Sequence, residues 1–362
     1  MKEAFLIISD LHLTSKEKTN RKFYVKEVND NLVKILQTGN KYVNDGYKVS
    51  LIFLGDIADR SYSEVIPSIQ LNNMFVVYNM VFEKCYTVLG NHEFSFYTDN
   101  PTWTLFANIK SDRVNNCLNS NWKPLGMLNL VEVVDALEVG DTVFSFMHHP
   151  TGILTPVQNK VNIGLFHKDL VPSSVVRDME VNKGLEIWSD NLIDFENTSM
   201  IDGYNYCFFG HVHKMYGKFR YVNDKTNWSS ILYYLGSLGR PNQTEVQDNF
   251  LERNIPAVII EDGKFNRIED NLFNLRSREE SVIEQIVVEN KEAYEKRKEQ
   301  KELLNYEPIS DNPIDNINNA IASSSELYKL FNDYLDNNYS DLENNLNKKL
   351  EVLKCKIGKI GL

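Results

Sequence analysis

Thr87-Val88-Leu89-Gly90-Asn91-His92-Glu93 is the stretch around which the sequence is organised. An apolar run stops at a glycine and delivers Asn, His and Glu in succession, the pattern of a buried strand ending in a functional turn. A carboxamide oxygen can coordinate a hard cation and the adjacent imidazole can donate a proton, so the turn suggests a metal site with a poised acid. Gly-Asn also makes ordinary turns, and the rest of the chain decides between the two readings.

Upstream, Ala4 to Ser9 reads as a buried strand that hands over to Asp10-Leu11-His12, where a spacing of two in extended chain puts both polar side chains on one side. A helical stripe of Phe23, Val28, Leu32, Ile35, Leu36 and Val43 follows over about Arg21 to Val43. Val49 to Leu54 repeats the strand signature and ends in Gly55-Asp56-Ile57-Ala58-Asp59-Arg60, and a second helical segment starting near Pro67 leads to Cys85. Downstream, Thr102 to Asn121 mixes a short helix with loop. Two apolar segments between Leu128 and Met147 flank the hairpin turn Val139-Gly140-Asp141, and the second ends in His148-His149-Pro150. Thr151 to Thr198 reads as a long connection over the active face with a helix near its end. Tyr206 to Phe209 is one more short strand, followed at once by Gly210-His211-Val212-His213, and Ile231 to Leu235, Ala257 to Ile260 and Phe265 to Ile268 read as further strands.

From about Ser277 the chain becomes charged and helix-prone. We therefore divide it into a catalytic domain over 1–275 and a helical extension over 276–362. Within the extension, Asn305 to Ser325 is a linker with two prolines and a serine run, and Leu342, Leu346, Leu350, Leu353 and Ile357 form one helical stripe.

At 362 residues the chain can bury a large core. A formal net charge of -11 argues against an autonomous polycation that binds nucleic acid by bulk electrostatics, while leaving room for a local basic patch. Cys85, Cys117, Cys207 and Cys355 form no CxxC pair, which fits a reducing, cytoplasmic location and indicates neither a zinc knuckle nor a disulfide framework. The N-terminal apolar run is broken at Asp10 and lacks a small-residue cleavage site, and no stretch reaches membrane-spanning length, so a soluble, unsecreted protein is expected.

Five strand ends thus carry Asp10/His12, Asp56, Asn91/His92, His148 with its neighbour His149, and His211/His213; of the seven histidines, His167 alone falls outside these motifs. Mixed imidazole, carboxylate and carboxamide donors suit Mn, Fe, Zn or Ni better than an all-oxygen Mg or Ca site. There are too many for one ion, and they suit two ions about 3.5–4 Å apart sharing a bridging carboxylate, the arrangement that clamps attacking and leaving oxygens in phosphoryl displacement.

The five blocks Asp10-x-His12, Gly55-Asp56-x-x-Asp59, Gly90-Asn91-His92-Glu93, His148 and Gly210-His211-x-His213 resemble, in the same order, those of the calcineurin-like metallophosphoesterases, over about residues 1–270. The resemblance implies an α/β fold, a two-sheet sandwich flanked by helices on both outer faces. It also implies that Asp10, His12, Asp56 and His213 hold one metal and Asp56, Asn91, His148 and His211 the other, with Asp56 bridging. His92 would stabilise the transition state and protonate the leaving oxygen, and a metal-bridging hydroxide would be the nucleophile. Asp59 and Glu93 would orient ligands rather than be ligands. In the doublet, His148 fits the strand-end position and His149 faces substrate or backs a ligand. His167 is expected at the surface.

Gly236-Ser237 followed by Arg240-Pro241, with the helical extension, resembles the nuclease branch of the family, the SbcD-type subunits of DNA repair and recombination nucleases that work with a coiled-coil ATPase. The expectation is a manganese-dependent DNA exonuclease or endonuclease whose extension docks that ATPase or a second copy of itself, the alternative being a helical cap on the catalytic domain. Arg240 would contact substrate within a patch that includes Lys160 and Lys168. A hydrolase of small nucleotides or of phosphoproteins is the alternative, which His-His-Pro also fits. A scaffold with a relic site is a third, opposed by the intact ligand set.

Overall fold

The computed structural model describes residues 1–13, 24–59, 74–96, 101–106, 108–117, 123–128, 130–149, 151–168, 170, 201–213, 216–240 and 251–275. The linker and leucine stripe expected beyond 275 lie outside these residues, as do Arg60 and Pro67. In chain order the elements begin with β1 (Lys2–Ile8), α1 (Tyr24–Asn44), β2 (Lys48–Phe53), α2 (74–81), β3 (Lys84–Thr87), a 3-10 turn (Asn91–Glu93), β4 (Phe94–Phe96), β5 (Pro101–Phe106) and α3 (Asp112–Cys117). They continue with β6 (Lys123–Leu128), β7 (Val131–Glu132), β8 (Ala136–Val139), β9 (Thr142–Met147), β10 (Val161–His167), β11 (Tyr206–Gly210), β12 (Gly217–Asn223), β13 (Trp228–Tyr234), β14 (Glu252–Asn254), β15 (Ala257–Glu261), β16 (Lys264–Glu269) and β17 (Leu272–Asn274). Among the described residues no helix is long and apolar enough to cross a membrane.

The strands form two six-stranded sheets, ordered β16-β15-β1-β2-β3-β7 and β12-β13-β11-β10-β9-β8, with smaller β14-β17 and β4-β5-β6 ladders beside them. Each large sheet has a parallel centre: β1, β2, β3 and β7 in the first, β9, β10, β11 and β13 in the second. Antiparallel partners close the β16-β15 edge of the first sheet and both edges of the second. The central strands are mainly apolar because both of their faces are covered, with Ser145, Asn162 and Ser230 among the buried polar exceptions. Alternation assigns each face a different core. Phe5, Ile7, Ile52 and Leu54 pack against Phe144, Phe146, Leu165 and Phe208 between the sheets. Ala4, Leu6, Leu51 and Phe53 face α1 and α2 on the outside of the first sheet. Phe166, Phe209 and Tyr234 pack with Leu170, Ile201 and Tyr204 on the outside of the second. The expected α/β two-sheet architecture is met, and among the described residues helices cover the first sheet only.

β10 corrects one expectation. Thr151 to Thr198 is not merely a connection, because Val161-Asn162-Ile163-Gly164-Leu165-Phe166-His167 is a central strand, parallel to both β9 and β11. The consequence is local and large. Parallel strands end at the same edge, so β1, β2, β3, β10 and β11 all deliver their following residues to one rim, where open α/β sheets place ligands.

Candidate metal centre

Four of the residues just past those strand ends, Asp10, His12, Asp56 and His211, have left-handed backbones, with φ of 46°, 48°, 48° and 77°. Non-glycine residues adopt this region at a cost of about 1–3 kcal/mol each and keep it only where surrounding structure enforces it, commonly at functional sites. Here the turns aim side chains from both sheets into one space. The nitrogen and oxygen atoms of Asp10, His12, Asp56 and His213 lie within 4.8 Å of one another, and so do those of Asp56, His167 and His211.

In the first group, His12 Nε2 and His213 Nε2 face each other at 2.8 Å, with Asp56 Oδ2 at 3.7 Å from His12 Nε2 and Asp10 Oδ1 at 3.6 Å from His213 Nε2. Burial, together with the neighbouring His213, pushes the His12 pKa well below its ordinary value, so this imidazole is a neutral donor. Burial alone would raise the Asp10 and Asp56 pKa values, but the surrounding imidazoles outweigh it and both are lowered.

The second group differs from the sequence expectation. His148, expected as its ligand, is closed: the Leu89 N–H donates to its Nδ1 at 3.0 Å and its Nε2–H donates to the Val134 carbonyl at 3.0 Å. Neither nitrogen has a lone pair left for a cation, and burial holds the ring neutral with a pKa of about 4. His167, expected at the surface, is fully buried and stands in the place expected of His148. Its Nδ1–H donates to the Leu54 carbonyl at 2.6 Å, which leaves Nε2 facing Asn91 Oδ1 at 3.1 Å, His211 Nδ1 at 3.1 Å and Asp56 Oδ1 at 3.3 Å. Gly90 is required beside it, because a Cβ there would collide with Asp56 Oδ1 and His167 Nε2. The signal that could have found His167 is the apolar run of β10 ending in histidine, the device already read at the other strand ends.

This donor arrangement fits a cation. A neutral His167 with its proton on Nδ1 presents a lone pair to two oxygens, and electron-rich atoms at that distance repel unless a proton or a metal ion lies among them. Burial opposes charge on His167, but Asp56, by charge and hydrogen bond, with Asp10 and Glu93, holds its pKa up at about 9, so without a metal a proton fills the role. The mixed nitrogen and oxygen donors are those of transition-metal sites.

Around these groups, Glu93 is fully buried and accepts from the backbone N–H groups of Asp56 at 2.9 Å, Ile57 at 2.7 Å and Gly90 at 2.7 Å, tying the Gly-Asp and Gly-Asn turns together. Burial and the Asp56 charge raise its pKa to about 8. His92 is bound through Nδ1 to the Asp59 carbonyl, which turns Nε2 toward the site, 3.9 Å from Asp56 Oδ2. The Asp59 carboxylate lies 3.8 Å from His12 Nδ1. His149 is half-buried beside His167, Lys168 and His211, and its pKa is lowered to about 4 by burial and by the nearby His167 and Lys168 charges. It borders the site without joining either group.

Arg240 is not a surface phosphate contact. It is 1% exposed, and its Nε and Nη2 donate to Glu27 Oε1 of α1 at 2.8 and 2.6 Å. Lys160 is paired with Glu138 at 2.7 Å, and Lys168 donates to the carbonyls of His149 and Thr151. The expected basic patch is therefore engaged internally at these three positions, while Arg177 and Lys183 lie outside the described residues.

The family of calcineurin-like phosphoesterases matches residues 4–215, more than half of the chain. The chain belongs to that family. Among solved structures it is similar to a 5'-nucleotidase precursor from Thermus thermophilus, at 10% identity and a TM-score of 0.37, over 76% of this chain and 55% of that one. The chain thus spans little more than half the length of that relative. Comparison with curated proteins gave no match.

Proposed function

We propose that the chain is a two-metal phosphodiester hydrolase whose substrate is DNA. The hydrolase part is supported chiefly by one observation: nitrogen and oxygen donors from five strand ends converge around His167 Nε2 and between His12 and His213, in two groups that would each hold a metal ion. Asp10, His12, Asp56 and His213 would hold one ion, and Asp56, Asn91, His167 and His211 the other, Asp56 serving both. Two divalent ions there, manganese in our reading, would polarise the phosphoryl group and lower the pKa of attacking water. His92 would give its Nε2 proton to the leaving oxygen, its ring being fixed by the Asp59 carbonyl. Glu93 would keep Asp56 and Asn91 at their mutual distance by gripping both turns.

The DNA part is supported by the likeness of Gly236-Ser237 and Arg240-Pro241 to the SbcD-type nuclease branch; the same likeness would make a coiled-coil ATPase the partner of the extension, while its leucine stripe would equally serve a second copy. One observation favours the second reading, a hydrolase of small nucleotides or phosphoproteins: Lys160, Lys168 and Arg240 are all engaged within the chain. The deciding experiment offers the manganese-loaded protein linear duplex DNA, single-stranded DNA, cyclic mononucleotides and phosphopeptides side by side. DNA cleavage that weakens steeply with salt is the expected result. Salt-independent turnover of a cyclic nucleotide without DNA cleavage would overturn the nuclease reading and leave the hydrolase standing.

A further inference from the structure

α1 buries a polar pair on its otherwise apolar inner face. Its covered residues run Tyr24, Glu27, Val28, Asn31, Leu32, Ile35, Leu36, Gly39 and Tyr42, so Glu27 and Asn31 sit one turn apart where a helix would ordinarily place aliphatic side chains. Both reach the segment that follows β13. Asn31 Nδ2 donates to the Leu238 carbonyl at 2.7 Å, and Glu27 accepts both Nε and Nη2 of Arg240. A buried ion pair is weak evidence for stability, since desolvation offsets most of the attraction. Its use must lie elsewhere.

The anchored segment, 236–240, grips the first ligand group by its backbone. The Leu238 and Gly239 N–H groups donate to the Asp10 carbonyl at 3.1 and 2.9 Å, the Ser237 hydroxyl donates to the same oxygen at 3.1 Å, and the Ser237 N–H donates to the His213 carbonyl at 3.0 Å. The third ligand is held from α1 itself, the Tyr24 hydroxyl donating to the His12 carbonyl at 2.6 Å. The Arg240 N–H donates to the Ser237 hydroxyl at 3.0 Å, closing the segment on itself. Gly239 permits the approach, because a Cβ there would run into the Leu11 carbonyl. Three of the four residues of the first group therefore have their main chain fixed by one bracket. His167 and Asn91 of the second group are fixed differently, by the Leu54 carbonyl and by the Glu93-held turns, whereas His211, whose N–H donates to the Asp10 carboxylate, and Asp56, whose carbonyl accepts from the His12 N–H, link the second group to the first.

We infer that Glu27 and Arg240 are positioning residues for the first metal position, holding Asp10, His12 and His213 in place through the 236–240 segment and Tyr24. The inference rests on the two-metal reading above. It makes the two positions unequal: damage to the bracket should weaken the first far more than the second, which feels it only through Asp10 and His12.

Manganese titration of the full chain, followed by electron paramagnetic resonance, tests this. Wild type should take up two ions and give a spin-coupled signal. Glu27→Gln should weaken one position by roughly 10–100-fold, the range typical for loss of a residue that orients ligands, while the other loses much less. The spectrum should then be that of an isolated ion at one equivalent, and Glu27→Asp should restore part of the coupling. Tyr24→Phe and Ser237→Ala, which leave the ion pair intact, should show the same asymmetry at smaller size and decide the matter if Glu27→Gln does not fold. Equal weakening of both positions, or none at either, would overturn the inference. No uptake by wild type would instead overturn the two-metal reading beneath it.

Discussion

His148 and His167 end neighbouring parallel strands, both follow apolar runs, and both are fully buried, yet only one stands in the candidate metal centre. The difference lies in their partners. His148 meets a donor on one side and an acceptor on the other, so the neutral ring is satisfied completely by backbone. His167 meets a carbonyl at Nδ1 and three further donor atoms at Nε2, an environment that demands positive charge. Position at a strand end brings a histidine to the rim, and the neighbours of its second nitrogen decide what it does there.

The largest expected effects test that contrast directly. His167→Ala should weaken one metal position by more than roughly 100-fold, beyond what loss of an outer partner usually costs, and abolish phosphodiester hydrolysis. His148→Ala should leave both affinities unchanged and lower stability, because the Leu89 N–H and Val134 carbonyl are left buried and unpaired at about 1–3 kcal/mol each. Isothermal titration with manganese, beside urea unfolding, separates the two outcomes, and metal loss in His148→Ala with retention in His167→Ala would reverse the assignment. Asp56→Asn should weaken both positions, since Asp56 contributes to both groups. His92→Ala should be milder still: both metals retained, with hydrolysis slowed by roughly 10²–10⁴-fold. Loss of metal in that variant would remove His92 from the role of proton donor.

The sequence carried the fold wherever polarity patterns were local. The strands at Ala4, Val49 and Tyr206 were visible as apolar runs cut by glycine or aspartate, and the turn at Val139-Gly140-Asp141 joins β8 to β9 as expected. β10 was hidden by Asn162 and Gly164, which dilute its apolar run, although Asn162 is buried and spends its amide on the Val157 and Lys160 carbonyls. The spacing-of-two motifs were legible as polar pairs following apolar runs, although extended-strand alternation is not what aims them. Asp10, His12 and His211 lie past the strand ends with left-handed backbones, and His211 and His213 fall in different groups. His167 was not legible, because it stands alone at its strand end while the His148-His149 doublet next to it drew the reading. Arg240 was misread for a related reason: its partner Glu27 lies 213 residues away, and nothing local marks an arginine as buried.

The smallest effect follows from the same pair of histidines and concerns acid. The folded pKa of His148 is about 4, below the ordinary value of 6.5, because burial disfavours its charged form. Below pH 6.5 the unfolded chain therefore binds a proton that the folded chain does not, and stability falls as pH drops from 6.5 toward 4. The loss from this group reaches about 3 kcal/mol when a shift of this size is converted at 1.36 kcal/mol per unit. His167 has the opposite sign, since its raised pKa contributes stability below 6.5 that is lost as pH climbs through 9. Comparing wild type with His148→Gln in chelator isolates the first effect, because His167 is common to both chains and cancels. At pH 7 wild type should be the more stable of the two, having both backbone hydrogen bonds intact. Urea unfolding at successive pH values should show that advantage shrinking toward pH 4. An advantage that stays constant across this range would mean that His148 is not held neutral by its two backbone partners, and the contrast with His167 would fail at its simpler end.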